Sequence, residues 1–143
     1  MLNFLLILFF SKTVLLTPDY IDVDSTADGY TFILQEPINA ITQGASIQID
    51  VTKMLDPFSK GDLFKVRSAI SDLFKSGSIE VTLGEGDEAV RLEYKGSTLI
   101  SNDRVSLALV GDNIPTGIDF TKLVLKTEVK LERIKIYWKN YKK

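Results

Sequence analysis

Residues 79–94 read IEVTLGEGDEAVRLEY, and their period decides the fold class. Ile79, Val81 and Leu83 alternate with Glu80 and Thr82, and Val90, Leu92 and Tyr94 alternate with Arg91 and Glu93. Successive side chains of a strand point to opposite faces, so each run predicts a strand with one apolar face. Gly84-Glu-Gly86-Asp87 lies between them and supplies turn chemistry, which predicts an antiparallel hairpin. The segment GEGDEA at 84–89 also satisfies the spacing G-x-G-x-x-A of dinucleotide sites. That motif needs a helix N-terminus after the glycines to hold a pyrophosphate. An alternating strand follows instead, and Glu85, Asp87 and Glu88 would repel phosphate, so no cofactor is expected.

The same period extends in both directions. Ile47, Ile49 and Val51 show it, as do Val105, Leu107 and Leu109, then Leu123, Leu125, Val129 and Leu131. Turn residues punctuate these runs at Gln43-Gly44, Lys95-Gly96, Gly111-Asp-Asn113 and Pro115-Thr-Gly117. The pattern predicts an all-β protein: an antiparallel β-sandwich, Ig-like or jelly-roll-like, forming a single domain over residues 18–143.

One stretch departs from it. In residues 62–77, Leu63, Val66, Ile70 and Leu73 fall at helical spacing, with Asp62 placed to cap the N-terminus and Gly77 to stop the helix. An amphipathic helix over 62–76 is expected, packed on the core at an open end or edge of the sheet. A second departure lies in the last apolar run. Leu123, Leu125, Val129 and Leu131 are odd-numbered, whereas Ile134, Ile136 and Trp138 are even. A one-residue slip moves every side chain to the wrong face, so a β-bulge or a break in the ladder is predicted within residues 131–134.

Composition sets the exclusions. The 143 residues include 45% apolar and 25% charged side chains, the balance of an ordinary globular domain. There is no cysteine and no histidine. Disulfides, thiol nucleophiles and histidine-assisted serine catalysis are therefore outside the reach of this chain. The serine of Gly44-Ala45-Ser46-Ile47-Gln48 has no histidine to activate it, and the final glycine of a nucleophile elbow is missing. No enzyme activity is expected. Net charge is −2, which gives no overall attraction to nucleic acid, but the charge is uneven. Residues 122–143 hold eight Lys or Arg against two Glu, leaving the first 121 residues at −8.

Three stretches are candidates for interaction. Asp24, Thr26 and Asp28, followed by Gly29, match the opening of a calcium loop, where oxygens at alternate positions surround the ion. The twelfth position is Gln35, which cannot supply the bidentate carboxylate, so a solvated acidic turn is the stronger reading and no metal is expected. At the C-terminus, Lys135, Tyr137, Lys139 and Tyr141 share one face of a strand whose other face carries Ile134, Ile136 and Trp138. Such a strip suits anionic lipid, glycan or single-stranded nucleic acid. Its structural alternative is an edge strand whose lysines discourage aggregation.

The third stretch is MLNFLLILFF, residues 1–10, nine of them apolar. It lacks the basic n-region and small-residue cleavage site of an export signal. Residues 2–16 would extend about 23 Å as a helix, short of the roughly 30 Å hydrocarbon core. Apolar on both faces, the run needs cover on both. Residues 1–17 are therefore read as a docking segment, with Leu2, Phe4, Leu5, Leu6, Phe9 and Phe10 as contact residues. The expectation is a non-enzymatic structural subunit of a cell-envelope complex or virus particle, extracytoplasmic and membrane-associated or in a virion. Its partners would be other protein subunits, copies of itself among them, or membrane lipid. The alternative is a membrane-associated module that binds glycan or anionic lipid.

Overall fold

The computed structural model describes residues 11–17, 19–42, 44–55, 62–100 and 104–141, with backbone alone at 11, 12, 63 and 141. The chain is mostly β and antiparallel. Its strands are β1 (Ser11–Leu15), β2 (Ile21–Val23), β3 (Tyr30–Ile38), β4 (Ser46–Asp50), β5 (Ile79–Leu83), β6 (Val90–Ile100), β7 (Val105–Val110), β8 (Phe120–Thr127) and β9 (Leu131–Tyr141). Two helices are described, α1 (Thr52–Leu55) and α2 (Leu63–Leu73).

The hairpin read from residues 79–94 is present: β5 and β6 pair with Val81 opposite Leu92 and Leu83 opposite Val90. Helix α2 begins where Asp62 predicts. The Asp62 carboxylate accepts from Phe64 N at 3.0 Å and Lys65 N at 3.2 Å, satisfying two of the free donors of a helix start. The helix ends at Phe74 rather than at the glycine. Gly77, at φ +80°, shapes the turn that leads into β5 instead.

The strands lie in one path, β1-β9-β4-β7-β6-β5-β8-β3, with β2 continuing the edge beside β9. This single sheet curls into a half-barrel, so a sandwich of two separate sheets, Ig-like or jelly-roll-like, is not confirmed. Strand β6 shows why. Its first residues pair with β5 and its last with β7, so one long strand joins the two halves of the sheet. The Lys95-Gly96 turn of the sequence reading is a bulge within this strand. Tyr94 pairs with Leu109 and Thr98 with Leu107, placing four steps of β6 against two of β7. Gly96 takes φ +96° there, a conformation costly for any side chain.

The predicted register reset is also present. Ile21 pairs with Ile134 and Val23 with Leu131, three steps of β9 against two of β2. Arg133, within the bulge, has φ +52°. Its N–H donates to Asp22 Oδ1 at 2.9 Å, so a side chain replaces the lost ladder partner. Leu131 and Ile134 are consequently both buried, although their numbers differ in parity. The run from 122 to 143 is two strands, not one. Residues 128–130 separate β8 from β9, and the Thr127 hydroxyl holds that bend by donating to Val129 O at 2.6 Å.

The core lies inside the curl. Ile47, Ile49, Leu107, Leu109, Leu125, Ile136 and Trp138 line it, and Val66, Ile70 and Phe74 cap it from α2. Residues 39–41 cross one end. Asn39 O accepts from Trp138 Nε1 at 3.2 Å and from Asn140 Nδ2 at 2.6 Å, and Ile41 N donates to Asn140 Oδ1 at 2.9 Å. A buried asparagine thereby satisfies backbone groups that the curl would otherwise leave unpaired.

Candidate basic-aromatic surface

Strand β9 is interior, not an edge. It pairs with β1 and β2 on one side and with β4 on the other. Its even residues enter the core, Trp138 with 2% of its surface exposed, and this forces Lys135, Tyr137 and Lys139 onto the outer face. The edge-strand account of these lysines therefore fails. The edge on that side is β1 and β2.

The register adds partners from distant parts of the chain. Lys135 Nζ and Lys53 Nζ each lie 4.4 Å from the centre of the Tyr20 ring. The Arg104 guanidinium lies 4.9 Å from the centre of Tyr137. Cations over ring faces gain about 0.5–1 kcal/mol at exposed sites. Tyr20 thus holds two like charges near one another, and Tyr137 holds a third cation. Arg133 joins them by donating from its guanidinium to Lys53 O at 2.9 Å. The result is a patch with Lys53, Arg104, Arg133, Lys135 and Lys139 around two tyrosines.

Two acids lie within it. Asp22 is engaged by the Arg133 backbone, and Asp50 lies 3.9 Å from Arg104 Nε. Asp50 is mostly occupied elsewhere: its Oδ1 accepts from Thr52 N at 2.9 Å and from Thr52 Oγ1 at 2.5 Å. Among these described residues cations outnumber acids, and the aromatic rings are only partly covered.

The patch adjoins the start of the chain. Ser11 pairs with Tyr141, Thr13 with Lys139 and Leu15 with Tyr137. Leu15 leaves 41% of its surface exposed beside the strip. Residues 11–17, read as the end of the docking segment, are thus built into the sheet. Thr17 Oγ1 accepts from Ile136 N at 3.0 Å and anchors the strand end. Leu2, Phe4, Leu5, Leu6, Phe9 and Phe10 lie outside the described residues, as does the side chain of Tyr141.

Tyr20, Lys53 and Arg104 were not legible as site residues. Tyr20 sits in an acidic stretch, and the other two sit beside turns; only the pairing of β2, β4 and β9 assembles them. The acidic stretch itself forms a turn. Asp24 lies 3.9 Å from Lys130 Nζ, and Gly29, at φ +78°, packs so closely that an added Cβ would meet Leu125 O at 2.9 Å. Among the described residues no group of three acidic side chains is placed to hold a metal ion. No described helix is long and apolar enough to cross a membrane.

Comparison with protein-family models, with curated proteins and with solved structures finds no match for this chain.

Proposed function

We propose that this protein is a non-enzymatic structural subunit, held at a cell-envelope complex or virus particle through its apolar N-terminus. The observation that supports this is adjacency. Strand β1 continues directly from residues 1–10 and lies on β9 beside Lys139 and Tyr137. An apolar run that leads in sequence into a strand beside a basic-aromatic face suits attachment to a surface better than capture of a small substrate. The partners in this reading are other subunits, including further copies of the chain.

The composition of the patch favours a second reading, in which the surface is anionic lipid. Each Lys or Arg close to such a surface contributes about 1 kcal/mol. Apolar insertion and basic attraction together give the two signals that stable peripheral attachment needs. In that case the protein is a membrane-associated binding module.

Deletion of residues 2–10 tests the main reading. The truncated chain should fold and be monomeric by light scattering, whereas the full chain should assemble or co-sediment with membranes. Unchanged assembly of the truncated protein would refute it. Joint replacement of Lys135, Tyr137 and Lys139 by Ala separates the two readings. Loss of flotation with phosphatidylserine vesicles, without a change in protein assembly, selects lipid.

A further inference from the structure

The bulge in β6 does more than curl the sheet: it opens a groove of about 630 Å³ between this strand and α2. That volume falls in the range of small-molecule sites, roughly 300–1,000 Å³. The helix contributes Arg67, Ile70, Ser71 and Phe74, which share one face by their spacing. The strand contributes Tyr94, Thr98 and Ile100. Ile70, Phe74 and Tyr94 are buried and form an apolar floor. The polar tip of Tyr94 is already engaged, 3.3 Å from Thr98 Oγ1. At Gly96 no heavy atom lies within 4 Å of where a Cβ would stand, so the bend leaves open space.

Arg67 stands at the lip of this groove, exposed, and no acidic side chain among the described residues pairs with it. Ile100, on the same face of the strand as Thr98 and partly exposed, adds an apolar wall. A trough with an apolar floor and one cation at its lip complements an aliphatic body that ends in an anion. A guanidinium fork matches a carboxylate in particular, because two parallel N–H donors meet its two oxygens. We propose that this groove binds a single-chain aliphatic carboxylate, the chain lying on Ile70, Phe74 and Ile100 and the carboxylate on Arg67. The groove is on the concave side of the sheet, and the basic strip of β9 is on the convex side, so the two proposals stand or fall separately.

Titration of the full-length protein with dodecanoate, below its micellar concentration, tests the site by calorimetry. Saturable binding at one molecule per chain is expected, with dodecanol binding at least fivefold more weakly. Arg67→Gln should weaken dodecanoate at least fivefold and leave dodecanol unchanged. Ile100→Glu should weaken both by tenfold or more, with thermal melting confirming that each variant is folded. Replacing Lys135, Tyr137 and Lys139 together should leave dodecanoate binding intact. Absence of saturable binding would overturn the proposal. So would equal affinity for the acid and the alcohol, or wild-type binding by a folded Arg67→Gln protein.

Discussion

The two halves of the sheet solve the same problem differently. In β5, every second residue is fully buried and its neighbours are half exposed, and β8 keeps much of that alternation. In β4 and in β7 up to Ala108, both faces are withheld from solvent. Yet the outer-face residues of this second half are Ser46, Gln48, Asp50, Ser106 and Ala108. A sheet face made of small and polar residues is chemically a solvent face, and here it is buried. The difference teaches that period two in a sequence reports the chemistry of each face, not whether that face meets water. Burial of polar groups raises the cost of each one left without a partner.

Trp138 and Ile33 give the largest contrast. Trp138 is 2% exposed, packs in the core beneath the doubly covered half, and donates from its indole to Asn39 O. Ile33, on the outer face of edge strand β3, is 74% exposed. Trp138→Ala should cost about 3–5 kcal/mol by chemical denaturation, combining lost transfer free energy with a cavity. Ile33→Ala should stay within about 0.5 kcal/mol. Comparable losses at the two sites would mean that β3 is covered in solution by something beyond this chain's own fold.

Asp50 comes next. Its carboxylate holds the start of α1 by accepting from the backbone and hydroxyl of Thr52, and that hydroxyl in turn accepts from Val105 N at 2.8 Å. One buried acid thus ties β4, α1 and the entry to β7. Asp50→Ala should cost about 2 kcal/mol, since a charged acceptor is removed and a buried donor is orphaned. Asp50→Asn keeps an acceptor oxygen and should cost less. An alanine variant as stable as the parent would show that these bonds contribute nothing net, and that the polar face of β4 is hydrated in solution.

How much of this was legible follows the range of each signal. The hairpin of β5 and β6, the strands at Ile47 and Leu107, and α2 with its Asp62 cap are local patterns, and they appear where the sequence places them. The reset near Arg133 was legible because burial is shared by Leu131 and Ile134, whose parity differs. Lys95-Gly96 was not, because a left-handed glycine serves a turn or a bulge equally well and only pairing with β7 decides. The break between β8 and β9 has no Gly, Asn or Pro and is held by the Thr127 hydroxyl and by Glu128 N donating to Ser78 O at 2.8 Å. Of the candidate surface, the shared face of Lys135, Tyr137 and Lys139 was visible by alternation. Tyr20, Lys53 and Arg104 reach it through strand order, which no local pattern encodes. The groove beside α2 depends on the same unforeseen bulge.

The smallest effect carries a change of sign, and so tests the comparison most sharply. Ser106 Oγ and Gln48 Nε2 are buried on the outer face of β4 and β7 and have no hydrogen-bond partner among the described residues. Thr127, at the end of β8, is equally buried, but its hydroxyl donates to Val129 O and accepts from Val129 N at 3.1 Å. Each hydroxyl lost its hydration on folding, and only Thr127 regained bonds in return. Ser106→Ala removes a group that is a net cost, so the variant should match the parent or gain up to about 1 kcal/mol. Thr127→Val keeps the shape but breaks two bonds at the bend, and should lose about 1–2 kcal/mol. Urea unfolding of both variants reads the two signs directly. If Ser106→Ala also destabilises, that hydroxyl has a partner in solution, and the outer face of β7 is a satisfied polar layer rather than a strained one.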